Sequence, residues 1–294
     1  MKGSTEMSLS VKLIKLGNKI FKPVVHPFNL ADAKEMTYAE WQYEKGADTI
    51  AFFAEKYSTD EMFCKKSVLD IGCGAAGKSL YFVRMGAEKV TGIDIVESYK
   101  AEADSLAEKL GYTDRFEFVC ASADALPYGD NSFDTIIMND AMEHVGNPEA
   151  VIEEVMRVIK PDGRIYINFP PYYHPFGAHL SDAINMPWVH FFFSEKSCIK
   201  AYRELVAKYP DAADRLAFRF STDEKGHEYI SYINKMTISR FKKILKKMNI
   251  SPLYYKEAPL RKFLSPFAKL PFLKELCVKM VVCVISKNGR VEKE

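Results

Sequence analysis

One short stretch, SVLDIGCGAAGKS at Ser67–Ser79, contains residues that could bind a ligand. They are three glycines, an aspartate, a lysine and a serine that follows it. The apolar run before the first glycine predicts a buried strand, and the residues after the last glycine predict a helix. A strand, turn and helix of this kind present backbone N–H groups and a helix N-terminus to a ligand. The stretch fits two phosphate-binding patterns: G-x-G-x-x-G at Gly72, Gly74 and Gly77, and the P-loop pattern G-x-x-x-x-G-K-S.

Asp70 decides among the ligands that such a turn takes. A carboxylate two positions before the first glycine lies close to any polyphosphate bound there, and like charges a few ångströms apart cost on the order of kilocalories. The stretch also fits D-x-G-x-G, and in this it resembles the S-adenosylmethionine loop of class I methyltransferases. That cofactor carries an ammonium and a sulfonium and no phosphate, so Asp70 favours it over ATP or NAD. Lys78 and Ser79 are expected to be solvated residues of the first helical turn.

Polar side chains end or follow three more predicted strands. KVTGIDI has Asp94 near its end, where a ribose would present its hydroxyls. RFEFVCASADALPY gives a third strand and a loop in which Asp124 would accept a hydrogen bond from an adenine amino group, with Ala123 and Leu126 on either side of the ring. FDTIIMNDAMEHV gives a fourth strand, whose mouth holds four polar residues: Asn139, Asp140, Glu143 and His144.

Helices alternate with these strands. They are predicted at residues 76–85, 97–110 and 148–159, and RIYINFP gives a fifth strand. This alternation predicts an α/β fold with a parallel sheet and right-handed crossovers, whose ligands lie at the C-terminal strand ends. A further helix, at residues 38–57, precedes the first strand. Its aromatic residues either close over a cofactor or pack in the core.

The motifs VLDIGCG, TGIDI, ADALPY, NDAMEHV and IKPDG occur together over residues 65–170. Their combination resembles the class I methyltransferases of the type 11, ubiquinone/menaquinone C-methyltransferase-like group. The resemblance implies a Rossmann-like, doubly wound sheet of seven strands, mostly parallel with an antiparallel last strand. It implies S-adenosylmethionine as cofactor and S-adenosylhomocysteine as product. Ala76 departs from the pattern, because many relatives have the third glycine there.

The resemblance also assigns parts of the cofactor to residues. Asp70, Gly72, Cys73 and Gly74 are expected to contact the methionine part, and Asp94 and Ile95 the ribose. Ala123, Asp124 and Ala125 are expected to contact the adenine, and Asn139 the sulfonium side.

Three regions are predicted. Residues 1–62 form an N-terminal helical cap, and residues 63–170 together with 236–288 form the Rossmann-like core. Residues 171–235 are an insertion after the fifth strand, which we expect to lie over the strand ends as a lid and to form the substrate pocket.

Histidines in this insertion are candidates for the proton acceptor that methyl transfer requires. His174 and His179 follow the fifth strand directly, and His144 and Asp140 stand in reserve. A structural hydrogen bond is an alternative role for each histidine.

A zinc site is a rival interpretation of the same region. The pattern H-x4-H, with His190 and Asp182 nearby, supplies ligand types that zinc takes. Its spacing is not a recognised zinc pattern, so no metal is predicted.

The charge distribution leaves one partner open. Five lysines and one glutamate fall within residues 1–27, and fifteen basic against four acidic residues fall within 235–294, on a chain whose net charge is +2. The amphipathic helix predicted at residues 7–21 and these basic ends either contact an anionic membrane surface or are solvated faces. No aromatic-interleaved basic strands or reading helix occur, so nucleic acid is not a predicted partner.

The compartment is predicted to be cytoplasmic. Six cysteines are scattered without a C-x-x-C pair, which is typical of reduced, buried thiols. The first residues lack the apolar core of a signal peptide, and no stretch approaches ~18 uncharged apolar residues.

The predicted function is S-adenosylmethionine-dependent methyl transfer, by in-line displacement, to a small-molecule, glycan or lipid-precursor acceptor. Two alternatives remain at this point. One is a P-loop nucleotide enzyme that uses GCGAAGKS with TIIMND as a second acidic strand, and the other is a scaffold that binds the cofactor without catalysis.

Overall fold

One seven-stranded sheet organises the structure, a computed structural model that describes residues 2–24, 36–270 and 273–289. Residues 25–35 of the predicted cap therefore lie outside the described residues. The strands, including a separate two-stranded hairpin of β6 and β7, are β1 (Ser67–Ile71), β2 (Lys89–Asp94), β3 (Phe116–Cys120), β4 (Phe133–Asn139), β5 (Ile159–Phe169), β6 (Phe220–Thr222), β7 (Glu228–Ile230), β8 (Tyr254–Pro259) and β9 (Val278–Ile285).

The strand order in the main sheet is β3-β2-β1-β4-β5-β9-β8. Parallel pairs join β3 to β2, β2 to β1, β1 to β4 and β4 to β5. β9 runs antiparallel between β5 and β8. The predicted fold class, a doubly wound Rossmann-like sheet with an antiparallel last strand, is confirmed. The strand order reverses between β1 and β4, and folds of this kind bind ligands at that point.

Helices pack on both faces of the sheet, because successive residues of a strand point to opposite sides. Val68 of β1 belongs to a buried cluster on one face, and Leu69 and Ile71 belong to a second cluster on the other. The helices are α1 (Lys2–Ile20), α2 (Tyr38–Glu44), α3 (Gly46–Ile50), α4 (Thr59–Phe63), α5 (Gly77–Arg84), α6 (Tyr99–Leu110), α7 (Pro148–Val158), α8 (Val189–Phe192), α9 (Glu195–Val206), α10 (Ala212–Arg219), α11 (Ile238–Lys247) and α12 (Lys274–Cys277).

The single helix predicted over residues 38–57 is wrong, because the segment contains two short helices, α2 and α3, followed by turns. Gly46, at the start of α3, lies against α5. A Cβ atom there would come within 2.2 Å of the Tyr81 ring. The helix is therefore broken between α2 and α3 where the chain packs closely on α5. The periodicity of the sequence does not show this contact.

The segment between β5 and α11 contains α8, α9, α10 and the β6–β7 hairpin. Its buried residues form a third cluster, which also contains Val11 and Ile14 of α1. α1 therefore packs on this insertion. The boundaries of the three predicted regions stay predictions. Among the described helices, none combines the length and apolar character that crossing a bilayer requires.

α2 and the glycine turn are held together at the start of α5. Gly77 donates its N–H to Oε1 of Gln42 at 3.2 Å, and Nε2 of Gln42 donates to the Cys73 carbonyl at 3.3 Å. Ala76 precedes Gly77 in the left-handed conformation, with φ of 60°. Glycine adopts that conformation without strain, which gives a physical reason for a glycine at this position in relatives.

Replacing Gly77 by alanine should lower the free energy of unfolding by about 1–3 kcal/mol. Its Cβ would lie 1.9 Å from the Ala39 carbonyl oxygen and 2.6 Å from the Tyr43 nitrogen, so backbone would have to move. Urea unfolding measures the change. Gly129→Ala is the matched control, since its Cβ would meet nothing closer than 4.0 Å. Equal midpoints for the two variants would contradict the close approach of α2 and α5.

Candidate active site

A cavity of about 860 Å³ opens where β1, β2, β3 and β4 end. The sheet order brings these strand ends together, so residues far apart in the sequence share one cavity. The insertion contributes part of the wall, with His174, His179 and Phe218 among its residues. α2 contributes Tyr38 and Trp41.

The glycine turn after β1 forms one side of this cavity. Gly72 and Gly74 have φ values of 71° and 57°. A Cβ at Gly72 would lie 2.9 Å from the Ala141 side chain, and one at Gly74 would lie 2.8 Å from Gln42. Conformation and space therefore both require glycine. Cys73 lies between them and lines the cavity, and burial raises the pKa of its thiol.

Asp70, at the end of β1, is buried and lines the cavity. Its Oδ2 accepts a hydrogen bond of 2.6 Å from Oγ of Ser79. Burial raises the pKa of Asp70 to about 6, against the opposing effects of the Ser79 hydrogen bond and the nearby Lys78. Asp70 is thus ionised at neutral pH and protonated in mild acid.

The expectation that Lys78 and Ser79 are solvated is wrong. Ser79 is fully buried and holds Asp70. The Lys78 side chain is 18% exposed and lines the cavity, with its Nζ 3.8 Å from the Asp140 carboxylate. Both residues belong to the site.

Asp94, at the end of β2, fastens the glycine turn. Its Oδ2 accepts from the Gly74 N–H at 2.8 Å, and its Oδ1 accepts from the Val96 N–H at 3.0 Å. Burial raises the pKa of Asp94, although these backbone hydrogen bonds act in the opposite direction. Ile95 follows at the cavity wall with 73% of its surface exposed.

The loop after β3 matches its prediction only in part. Ala123 and Asp124 line the cavity. Asp124 is exposed and accepts a hydrogen bond of 2.5 Å from Oγ of Ser122. Ala125 does not line the cavity, and Leu126 is buried in the core cluster on one face of the sheet. The expectation that Leu126 flanks an adenine ring is therefore wrong.

Asn139 ends β4 beside the glycine turn and is buried. Its Oδ1 accepts from Nδ2 of Asn168 at 3.0 Å, and its own Nδ2 donates to Oδ2 of Asp140 at 3.1 Å. Asp140 has the left-handed φ of 50°. The hydrogen bonds orient both groups at the cavity wall.

A carboxyl group and two imidazoles meet just beyond Asp140. Oε1 of Glu143 lies 3.8 Å from Nε2 of His144 and 3.9 Å from Nε2 of His179. The two imidazole rings pack edge to face, with centroids 4.8 Å apart. Nδ1 of His144 lies 2.9 Å from the Tyr232 carbonyl oxygen, which can only accept, so Nδ1 carries the proton and Nε2 faces the cavity side as an acceptor.

Desolvation favours the uncharged forms of Glu143 and His144 in this cluster. Glu143 is 3% exposed, and neither of its carboxyl oxygens has a hydrogen-bond partner among the described residues. Burial and the neighbouring Asp140 charge raise the pKa of Glu143 well above its usual range. Burial lowers the pKa of His144. The two shifts act together, since each favours the uncharged form.

The other histidines of the insertion lie in different surroundings. His174 lines the cavity, and its Nδ1 accepts from the Phe176 N–H at 3.3 Å. Burial lowers the pKa of His174 to about 4. His190 is bound through Nε2 to the Tyr172 carbonyl oxygen at 2.7 Å.

The rival zinc set of His174, His179, His190 and Asp182 is not brought together. Only Glu143, His144 and His179, among the described residues, place three potential ligand atoms within 4.8 Å of one another. Two donors bound to one tetrahedral ion at ~2.1 Å would lie roughly 3.4 Å apart. The separations of 3.8 and 3.9 Å are longer than this and also longer than a direct hydrogen bond.

A family model described as a methyltransferase domain matches residues 69–167, which run from β1 to β5. These residues belong to the type 11 class I methyltransferases. S-adenosylmethionine is the cofactor of this domain.

The methyltransferase domain is similar to two curated proteins over about a third of the chain. It is 38% identical over 96 residues to sterol 24-C-methyltransferase ERG6B of Gibberella zeae, covering 33% of this chain and 25% of that protein. It is 33% identical over 106 residues to the ubiquinone biosynthesis O-methyltransferase of Neisseria meningitidis, covering 36% and 44%. The matched region is thus less than half of either relative.

Solved structures share the fold of the methyltransferase domain and its surroundings. The PH0226 protein of Pyrococcus horikoshii aligns with a TM-score of 0.50 and 18% identity, over 83% of this chain and 90% of that one. At this identity the likeness concerns the fold alone.

Sequence reasoning missed several residues around the methyltransferase site. Glu143 stood in the NDAMEHV motif without a role, because nothing in the sequence shows that its carboxyl group is desolvated. Tyr99 and Tyr232 line the cavity without any motif to mark them. Gln42 of α2 braces the glycine turn, although in this segment only aromatic residues were singled out, as cover for a cofactor or as core.

A buried charge network fixes the insertion beside this site. Asp182 pairs with Arg215 at 3.2 Å and with Arg219 at 2.9 Å, and its Oδ2 accepts from the Tyr202 hydroxyl at 2.5 Å. Arg219 also donates to the His179 carbonyl oxygen. His179 is therefore tied to the network through its backbone.

Replacing Asp182 by alanine should lower the free energy of unfolding by about 3–5 kcal/mol, because it leaves two buried guanidinium groups without their shared carboxylate. Glu117→Ala is the control. Glu117 pairs with Lys89 at 2.9 Å, but both side chains are about half exposed, so a loss below about 1 kcal/mol is expected. Thermal or urea unfolding distinguishes them, and similar losses would mean that the Asp182 network contributes no more than a surface ion pair.

Proposed function

We propose that the protein is an S-adenosylmethionine-dependent methyltransferase that acts on a small-molecule, glycan or lipid-precursor acceptor. The observation that carries the proposal is the convergence of Asp70, Asp94 and Asn139 on one cavity within a methyltransferase domain. The carboxyl groups of Asp70, Asp94 and Asp140 line the cavity beside the glycine turn. This acidic environment disfavours a polyphosphate, and it argues against the P-loop alternative.

The residues present fit the cofactor. Asp70 offers a carboxylate for the ammonium of the methionine part, beside the exposed Gly72. Asp94 accepts hydrogen bonds from the backbone at Gly74 and Val96, and its carboxylate, with about four acceptor positions, would keep room for a ribose hydroxyl. Ala123 and Asp124 would contact the adenine, and Asn139 would face the sulfonium side.

S-adenosylmethionine supplies a methyl group already activated by its sulfonium centre. The chain has to align the acceptor, exclude water and take up one proton. The cluster of Glu143, His144 and His179 suits the last task. His144 is held in the tautomer whose Nε2 accepts a proton, and the nearby charge of Asp140 favours the imidazolium that forms. His174 and Asp140 remain secondary candidates.

The acceptor is proposed to lie in the cavity between Glu143 and His144 on one side and the insertion on the other. Aromatic side chains of Phe176, Phe218 and Tyr232 line this part of the cavity and offer apolar surface for a planar or lipid-like group. Among the relatives, one is named for a sterol and one for ubiquinone biosynthesis.

Transfer of a labelled methyl group into fractionated small-molecule, glycan and lipid extracts tests the proposed function. Label is expected to appear in one fraction with the parent protein and not without it. Binding of S-adenosylhomocysteine together with no transfer into any fraction would favour a scaffold that binds cofactor without catalysis.

Replacing Asp94 by alanine should weaken S-adenosylhomocysteine binding by about 10-fold to 150-fold, because hydrogen bonds to a charged group contribute about 1.5–3 kcal/mol. Calorimetry measures the change, and circular dichroism checks the fold. Asp114→Ala, at an exposed aspartate away from the cavity, should bind as the parent does. Unchanged affinity in Asp94→Ala would mean that the ribose lies elsewhere.

The pH dependence of turnover tests the base. A buried histidine with a lowered pKa stays neutral as pH falls past about 6.5, and it loses its acceptor function only as pH passes through the lowered value. At saturating cofactor, kcat is therefore expected to hold at pH 6.5, where an unperturbed histidine base would already be half protonated. His144→Gln should lower kcat at neutral pH and keep cofactor affinity. A kcat equal to that of the parent would remove His144 as the base.

A further inference from the structure

α1 is fixed to the body of the protein along one face. Val11 and Ile14 are buried against the insertion. Nδ2 of Asn18 donates to the Ala183 carbonyl oxygen at 2.5 Å, and its Oδ1 accepts from the Asn185 N–H at 2.8 Å. A Cβ at Gly17 would lie 3.0 Å from the sulfur of Met186. This packing determines which face of the helix points outward.

The outward face of α1 is apolar. Leu9, Leu13, Leu16 and Ile20 are 58%, 45%, 52% and 70% exposed. They are separated by four, three and four residues, so they form one stripe along the helix. Phe21 follows the end of the helix and is 40% exposed. A row of large exposed apolar side chains on a fixed helix is characteristic of an interaction surface rather than of a solvated face.

Lysines border this stripe. Residues 9–22 contain four lysines and no acidic residue. Lys12 lies three or four residues from Leu9 and Leu16, and Lys19 lies three residues from Leu16, so both ammonium groups stand beside the stripe. Lys15, further round the helix, binds Glu204 of α9 at 2.8 Å. Apolar side chains flanked by cations match the chemistry of an anionic lipid surface.

A second copy of the chain fits this face less well. Two such stripes facing each other would bring Lys12 and Lys19 of both copies together, with Glu6 as the single acidic residue of each helix, and like charges at short range repel. A bilayer with anionic headgroups takes the leucines into its apolar boundary and pairs the lysines at the same depth.

We propose that the stripe of α1, formed by Leu9, Leu13, Leu16 and Ile20 with Lys12 and Lys19 at its edge, docks the protein on the surface of an anionic membrane. The helix lies in the plane of the interface and does not cross it. The rest of the protein, with its cavity, is carried at the membrane surface through the contacts between α1 and the insertion.

Cosedimentation with vesicles tests the proposal without cofactor or acceptor, so its outcome does not depend on methyl transfer. The parent is expected to bind vesicles of equal parts phosphatidylglycerol and phosphatidylcholine. Binding to phosphatidylcholine alone should be at least about tenfold weaker, and raised salt should weaken binding to the mixed vesicles. Equal binding to both vesicle types, or to neither, would overturn the proposal.

Paired variants locate the surface. L13S/L16S should bind the mixed vesicles at least about tenfold more weakly, because each leucine loses its burial in the interface. Leu253→Ser is the matched control, since Leu253 is 49% exposed on a different segment, and it should bind as the parent does. Both variants should unfold at the parent's urea midpoint, because the replaced side chains are exposed.

Three results would contradict the docking surface. One is unchanged vesicle binding by L13S/L16S. Another is loss of vesicle binding in Phe263→Ser but not in L13S/L16S. Phe263 is 74% exposed in the segment after β8, so this result would place the membrane contact there. The third is a dimer in sedimentation velocity that L13S/L16S abolishes, which would make a second copy the occupant.

Discussion

The carboxylate of Asp94 holds the site together. It binds the N–H of Gly74 in the glycine turn and the N–H of Val96 after its own strand, so it joins the ends of β1 and β2. Removing a carboxylate from water is costly unless hydrogen bonds compensate it, and these two backbone donors help to compensate the half-buried Asp94. The turn, with its left-handed glycines, is held by this contact together with the hydrogen bonds from Gln42.

Two different electrostatic environments adjoin each other at the end of β4. On the side of the glycine turn, Asp70 and Asp94 keep carboxylates that suit a cationic, hydroxyl-bearing ligand. On the other side, desolvation favours the uncharged forms of Glu143 and His144, which suits a group that exchanges a proton. Asn139, at the end of β4, is fixed by Asn168 of β5. In the proposed function, this strand end separates the residues that bind the cofactor from those that take up the acceptor's proton.

Local pattern was enough to predict the sheet and the glycine turn. The strands are short apolar runs, and the positions of Gly72 and Gly74 are tied to their conformation, so both leave a direct trace in the sequence. The carboxyl-terminal strand ends then place Asp94, Asn139 and Asp124 near one another through topology alone. The antiparallel entry of β9 came from the family resemblance.

The remaining features depend on contacts between distant segments. Ser79 was expected in solvent, and only the packing of α5 on β1 buries it against Asp70. The break between α2 and α3 arises where Gly46 meets Tyr81. Glu143 differs from a surface glutamate only because its carboxyl group is buried away from water. Leu126 lies in the core because of the course of its loop. None of these environments is visible in residue spacing.

The central claim is that the acidic glycine turn takes S-adenosylmethionine and not a polyphosphate. Calorimetric titration with S-adenosylhomocysteine and, separately, with ATP and magnesium tests it most directly. The account predicts saturable binding of S-adenosylhomocysteine with a micromolar or lower Kd, and no displacement of it by ATP. Saturable binding of ATP that excludes S-adenosylhomocysteine would contradict the claim.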